Sequence, residues 1–473
     1  MMVLALEAST SSAKAIVYDL QAGVVDVATA HYSQATAAPG QQHANALHEE
    51  LLQLGKKVAQ GKEIASIALC SSWHSVMLLD SAFEPVTPIY TWEHNEAAEL
   101  SKIMRQDKVL TETLYRRTGC IPNTTYPRQT LLALKKQGLE LERYLIASQG
   151  AYSFYRMTGE FAETINVQSG SGLLNLDLLT YDDFVLNMLG IKKTQLGQLV
   201  TYKDTAPLNH ASAKKLGVKS GIPVVAAHSD GACNQVGSFC ASPNMMTLSV
   251  GTSGAIRLTQ DRPLFSDNLE TWSYYGVDSY ICGAAINGAT NCIEWFKNVF
   301  LLNQMNYEEL EGNQPISLKE LPIFLPFLFG ERCPGWKDNR LAGFTHINAN
   351  HGISEFYLAI QMGILFSLLS CYQPLVKICG KPKEIVVSGG ILHSKRWTQM
   401  LADIFEHDML CVENIHASAI GASVLAMHAA GVYPDIRTFS KEYETAKLVR
   451  SDTSKLRAYQ TLYDKYIQSY QAS

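Results

Sequence analysis

An α/β fold built as two domains is what this sequence predicts. Three observations carry the expectation: strand-like and helix-like runs alternate, one strand–turn–strand pattern occurs twice, and the apolar content suffices for two cores. At 473 residues and 47% hydrophobic content, the chain exceeds what one core serves.

The first element is a hairpin over residues 3–19, two apolar runs joined by Ser9, Thr10 and Ser11. A helix is expected at 44–60, a buried strand at 64–70, further helices at 95–105 and 131–137, and a strand at 222–227. The hairpin then recurs over 246–258, with Gly251, Thr252, Ser253 and Gly254 at its turn. Two similar hairpins half a chain apart suggest two similarly built domains facing a cleft, divided near residues 237–244. We take 1–238 and 239–473 as the domains. The apolar stretch 356–376 raises the question of a membrane span. Gln361, Ser367, Ser370 and Gln373 interrupt it, so a buried helix ending at Pro374 is expected instead. A strand at 385–387 meets Gly389 and Gly390, and a helix follows at 397–405.

Composition narrows the partners. A net charge of −5 without a basic run lacks the electrostatic footprint of a nucleic-acid binder, which points to a small molecule. Ten cysteines are scattered with no C-x-x-C pair, so neither a zinc site nor a disulfide framework is indicated, and buried thiols in the cytoplasm are expected. The N-terminus enters a strand directly, without a leader pattern. The chain has no G-x-x-x-x-G-K-[ST] and no G-x-G-x-x-G opening a helix, which argues against a Walker-type NTPase and a dinucleotide dehydrogenase.

The turns carry the chemistry. Small side chains let backbone N–H groups and hydroxyls converge on a phosphate oxygen, and two such turns could grip one polyphosphate from both sides. Either turn alone also reads as an ordinary hairpin. Gly-Gly between strand and helix lets backbone lie flat against a ligand, although the same junction is common for purely structural reasons.

Taken in order, the duplicated hairpin, His228-Ser229-Asp230-Gly231, Leu248 through Gly254, Gly330 through Trp336 and Ser388-Gly389-Gly390 resemble the FGGY carbohydrate kinases. Ser71 through Ser75, Thr91-Trp92, Gly251 through Arg257 and Gly330-Glu331-Arg332 are most similar to the gluconokinase branch, with xylulokinases next. The resemblance implies two actin-like, ribonuclease-H-like domains flanking a nucleotide and substrate cleft. It implies transfer of the γ-phosphoryl of ATP, with Mg²⁺, to a hydroxyl of a small sugar or sugar acid, and it raises the expectation of a homodimer.

Phosphoryl transfer needs in-line positioning, charge neutralisation and an acceptor for the hydroxyl proton. Asp230, between an apolar strand and Gly231, is the expected base and a metal ligand; the alternative is a turn carboxylate that only caps backbone amides. Glu7 stands where the family has an aspartate near the metal, and Ser9 where it has glycine. These two departures motivate a second reading, a catalytically weakened sugar- or nucleotide-binding protein. An ATPase that needs no sugar is a third. Thr10, Ser11, Lys14, Gly251, Thr252, Gly288, Gly390 and Ser394 match nucleotide-side positions. Ser72, Trp73, His74, Trp92, His94 and Asn95 are expected to line the acceptor pocket, where aromatic faces meet sugar C–H surfaces. Ser72-Trp73 replaces a usual Gln-Met, and Glu96 stands where arginine often follows the tryptophan, which counts against an acceptor carboxylate. Residues 330–340 are expected to form a conformational loop near the nucleotide cleft, or a loop tied down by its own ion pairs.

Overall fold

Each of the two repeated hairpins opens a sheet, and the two sheets share one strand order. The computed structural model describes residues 1–32, 39–312, 317–413, 416–439 and 446–473. In the first sheet, strand Met2–Ala8 pairs antiparallel with Ser12–Asp19, and that strand with Gly23–His31. On its other side Met2–Ala8 runs parallel to Ile64–Ser71, which is itself parallel to Pro223–Ser229. The second sheet repeats this: Met245–Val250 pairs antiparallel with Gly254–Gln260 and then Tyr280–Ile286, and parallel on its far side with Glu384–Ser388 and then Met409–Cys411. A short strand forms one edge of the first sheet, and short strands form both edges of the second.

The central strands are covered on both faces, and this is why they read as unbroken apolar runs. Val3, Leu4, Ala5 and Leu6 are all fully buried. Helix Ala44–Ala59 lays Leu47, Leu51, Leu52 and Val58 on one face of the first sheet. The other face is covered from the far end of the chain by helix Ala417–Ala429, whose Ala426 carbonyl accepts a 2.6 Å bond from Ser66 Oγ. That helix also crosses helix Asp230–Gly237 at backbone contact. A Cβ on Gly237 would lie 1.9 Å from the Ala417 carbonyl oxygen, and one on Gly421 would lie 1.9 Å from that of Cys233. Only glycine permits such an approach.

Most expected elements are present with shifted ends. The helix expected at 95–105 is Ala98–Gln106, and that expected at 131–137 begins earlier, as Pro127–Lys136, with proline in its first turn. One expectation fails. Pro374 does not end its helix, which runs over Ile353–Cys379. Proline removes one backbone bond from the turn before it, but Leu375 beyond it is fully buried and that packing carries the helix through. Among the described residues this is the one helix long and apolar enough to cross a membrane. It packs Ile360, Ile364, Leu365 and Leu368, all fully buried, into the core of the second domain.

Glu163 is a charge-bearing group inside the first domain, accepting bonds from Ser148 N at 2.7 Å and Ser148 Oγ at 2.9 Å. Burial pushes its carboxyl up to about 7, against the stabilising bonds from Ser148 and Gln168. The folded state therefore holds a proton that the unfolded chain releases near the ordinary carboxylate range, so this group's contribution to stability falls as pH rises from about 5 to 7. Relative to Glu163→Gln, the wild-type protein should lose on the order of 2–3 kcal/mol of unfolding free energy across that window. Urea unfolding of both proteins at several pH values measures the difference; parallel pH profiles would rule this account out.

Candidate active site

Parallel strands present their carboxyl ends together, and ligands bind at such edges. In the first sheet Ala8 and Ser229 both align with Ser71, so Glu7, Ser72 and Asp230 emerge along one rim. In the second sheet Ser249 aligns with Ser388, which sets the Gly251 turn beside Gly389 and Gly390.

Asp230 is the first residue of helix Asp230–Gly237, and the capping work there belongs to its neighbour. Ser229 Oγ accepts from Ala232 N at 3.2 Å, while the Asp230 carboxylate accepts only the adjacent Gly231 N–H at 2.7 Å among the described residues. A carboxylate freed from capping is available to a ligand. Burial pushes its carboxyl up to about 6, Glu7 adds to the rise, and Arg257 opposes it. Glu7 comes from the first hairpin and Arg257 from the second, so both hairpins act on this one side chain.

The first turn is held from several sides. Ser9 bonds back to the Ser12 carbonyl oxygen through both N (2.9 Å) and Oγ (2.8 Å), so the hydroxyl closes the turn instead of crowding it. Gln42 Nε2 donates to the carbonyls of Ser9 and Thr10. Glu7 is nearly buried; Ser418 Oγ donates to its Oε1 at 2.7 Å, and Lys14 Nζ lies 3.6 Å from Oε2. Lys14, expected to face nucleotide phosphates, is thus paired with Glu7. Ser11 is exposed at the turn.

Thr10 connects this turn to Ser72 and Trp92. Its Oγ1 accepts from Trp92 Nε1 at 2.9 Å and lies 3.5 Å from Ser72 Oγ. Trp73 and His74 sit deeper. Trp73 donates to the Asn166 carbonyl at 3.0 Å and is walled by Gly170 and Gly231, at either of which a Cβ would come within 2.7 Å of its ring. Tyr274 lies edge-on at 4.8 Å. His74 Nδ1 is 2.7 Å from the Gly170 carbonyl, and burial, with help from Arg332, holds the imidazole down to about 3. It is neutral, so Nδ1 carries the proton and donates. Trp92 is half-buried, His94 is buried against the Tyr90 ring at 4.5 Å, and Asn95 is exposed in the turn before helix Ala98–Gln106.

On the opposite side, the second turn is laced to its neighbours. Thr290 N donates to the Gly251 carbonyl at 2.9 Å, and Asn291 N to that of Thr252 at 3.4 Å. The need for glycine at 288 comes from packing, since a Cβ there would lie 1.9 Å from the Pro326 carbonyl. Ser394 caps helix Lys395–Phe405, its Oγ accepting from Trp397 N at 3.0 Å. Gly389 is the conformationally demanding member of the Gly-Gly pair, with φ +96° and a Cβ position 2.5 Å from the Val250 carbonyl. Gly390 has no such constraint.

Several site residues escaped the sequence reading. Arg257 and Arg332 lie inside the motifs quoted for the family resemblance, but nothing local says where their side chains point. Asn166 orients the end of the strand before Asp230, its Oδ1 accepting from Ser229 N at 2.7 Å, and no motif marks it. The loop 330–340 is tied down, as the alternative reading had it. Glu331 and Arg340 form a buried pair at 2.9 Å, and Asp338 is held by Arg105, Asn123 and Thr124 of the first half of the chain. Its Arg332 stands over Trp92, 5.8 Å from the ring centre.

Two sheets of one strand order, meeting at a rim that gathers carboxylates, guanidiniums and small-residue turns, define an actin-like, ribonuclease-H-like two-domain protein. Residues 2–237 match the N-terminal-domain model of the FGGY family of carbohydrate kinases, and residues 246–430 match its C-terminal-domain model. The chain belongs to the FGGY family of carbohydrate kinases, which use ATP. It is 24% identical over 454 residues to a gluconokinase of Bacillus subtilis, covering 91% of this chain and 88% of that protein. It is 25% identical to a xylulose kinase of the same species over 417 residues, 86% of this chain and 83% of the relative. Among solved structures, a ligand-bound xylulose kinase and a gluconate kinase, both from Lactobacillus acidophilus, each superpose with a TM-score of 0.93 over 100% of this chain and 98% of theirs, at 26% and 25% identity.

Replacing Gly389 with alanine tests the packing of the two turns. The backbone there is one that side chains rarely adopt, at a cost of about 1–3 kcal/mol, before any displacement of Val250. We expect Gly389→Ala to lower Tm by several degrees and raise the KM for ATP about tenfold. Wild-type values for both would show that the turn tolerates a side chain.

Proposed function

We propose that this kinase transfers the γ-phosphoryl group of ATP to a hydroxyl of a small sugar or sugar acid, with gluconate ahead of xylulose or another ketose. The observation that carries the proposal is Asp230: a helix-leading carboxylate relieved of capping duty, raised by burial, and set between Glu7 of one hairpin and Arg257 of the other. The gluconate-acting and xylulose-acting relatives named above support a small sugar or sugar acid as the acceptor. On this reading the chain divides at 238/239, the acceptor side belongs to the first domain, and the free, largely buried cysteines suit the cytoplasm.

Asp230 accepts the proton of the attacking hydroxyl, and a carboxyl that titrates near 6 does so more readily than one at the ordinary value while still ionised at neutral pH. Ser72, Trp92 and the buried Trp73 and His74 orient the acceptor, with His94 and Asn95 at its rim. The turns at Thr10–Ser11 and Gly251–Thr252 take the phosphates, with Lys14, Gly288, Gly390 and Ser394 on the nucleotide side. A magnesium ion fits the donors present: Glu7 Oε2 is a buried oxygen without a hydrogen-bond partner, and Glu7 raises the Asp230 carboxyl. Held by these two hard oxygen donors, the ion would neutralise charge on the phosphates.

A coupled assay of ADP formation across gluconate, xylulose, ribulose and glycerol tests the proposal. ADP release should be slow without an acceptor and much faster with the right one, since water is excluded from the site. Asp230→Asn should lower kcat by about 10²–10⁴-fold. An unchanged kcat would remove Asp230 from the role of base.

A further inference from the structure

We infer that Arg257 and Arg332 together form a receptor for a carboxylate on the acceptor, making this kinase selective for sugar acids over neutral sugars and polyols. This rests on the kinase reading above and extends it to the residues that choose the substrate. The observation is two guanidiniums gathered at one end of the cleft with too few counter-charges.

Arg257 reaches the site from strand Gly254–Gln260. Its Nε lies near the base helix, 3.1 Å from where a Cβ on Gly231 would stand, and its Nη1 contacts Ser249 Oγ at 3.5 Å. Arg332 reaches it from the loop 330–340, over Trp92. Both Nε atoms are buried and without a hydrogen-bond partner. Among the described residues, neither guanidinium has a carboxylate within 4.0 Å, although seven arginine–carboxylate pairs form elsewhere. The two arginines also oppose each other, and both depress the His74 imidazole. Both side chains are half-buried, and two guanidiniums within electrostatic reach of each other whose buried Nε atoms lack partners mark a place for an anion.

The nearby acids are turned elsewhere. Glu331, next to Arg332, is committed to Arg340, to Tyr470 Oη at 2.6 Å and to Gly335 N at 3.0 Å. Glu96 is more than half exposed and accepts from Gln137 Nε2 at 3.1 Å, so the carboxylate that argued from sequence against an acid acceptor is spent at the surface. Asp230 alone offsets Arg257, and it is engaged in the reaction. The buried Glu331–Arg340 pair pins the loop next to Arg332, which holds that guanidinium ready at little entropic cost. A planar fork with free N–H donors suits a carboxylate, and Trp92 beneath it offers an aromatic face to the adjoining carbon chain.

The test compares D-gluconate with D-glucitol, which has the same carbon chain with a CH₂OH in place of the carboxylate. The wild-type enzyme should favour gluconate by about 100-fold or more in kcat/KM, and Arg332→Gln should collapse that ratio chiefly through the gluconate KM. Arg332→Lys, which keeps the charge and loses the fork, should restore part of it. Equal losses on both acceptors would overturn the inference, assigning the arginines to the phosphoryl group or to folding. A wild-type preference for glucitol, xylulose or another neutral acceptor would also overturn it while leaving the kinase reading intact. Phosphorylation of no acceptor would defeat both. If Arg332→Gln does not fold, the wild-type ratio and the lysine variant decide.

Discussion

The crossing of helices Asp230–Gly237 and Ala417–Ala429 is the constraint on which the site depends. Two glycines, 237 and 421, bring the backbones into contact at points where any side chain would overlap a carbonyl. The consequences run in both directions. At one end the crossing fixes the helix that begins with Asp230. At the other it sets Ser418 where its hydroxyl reaches Glu7, and Ala426 where its carbonyl meets Ser66 of the first sheet. A contact between residues nearly two hundred positions apart thus locates Asp230 and Glu7 on one rim and ties the helix to the far end of the same sheet.

Around that rim, charge is arranged in partial compensation. Glu7 is balanced by Lys14 and a hydroxyl, Asp230 by Arg257 at longer range, and Arg332 by none of the groups beside it. Complete internal pairing would leave no field for a polyanionic substrate to meet, and complete absence of pairing would cost too much on folding. Rigid supports underneath make the imbalance tolerable. Ser229 caps helix Asp230–Gly237, Asn166 holds Ser229, and Trp73 wedges between Gly170 and Gly231. Each is a neutral group whose hydrogen bonds are met, so the strain of unpaired charge is confined to atoms that face the cleft.

Much of this was legible in the chain because it depends on local order. The hairpins show as apolar runs broken by three or four small residues, and the strands at 64–70, 222–227 and 385–387 show as short apolar runs at turn boundaries. Asp230 was visible because an acid directly after a buried strand has few places to go. What local order does not carry is direction. Arg257 occupies a strand position that alternation alone makes half-exposed, and its meeting with Asp230 depends on how two domains dock. Pro374 was misread for a related reason: the intrinsic preference of proline to end a helix was overridden by the burial of Leu375 beyond it. Of the Gly-Gly pair, the sequence could not say that 389 takes the left-handed backbone and 390 does not, because that depends on the Val250 carbonyl from the neighbouring strand. Nor could it show that Ser9 closes its own turn onto Ser12.

The two edges of the interdomain contact differ in kind, and the difference bears on how the cleft works. At the glycine crossing, backbone lies on backbone with no room for water, so separation would open a void and forfeit close packing. At the other edge Asp338 meets Arg105, Asn123 and Thr124 through part-exposed polar bonds of 2.7–3.3 Å, each of which water can replace at small net cost. A molecule joined tightly at one edge and exchangeably at the other has its compliance at the second. Arg332 and Trp92 lie on the loop and the turn that meet there, so that end of the cleft is the end that can yield. Asp230, held by the crossing, stays where it is.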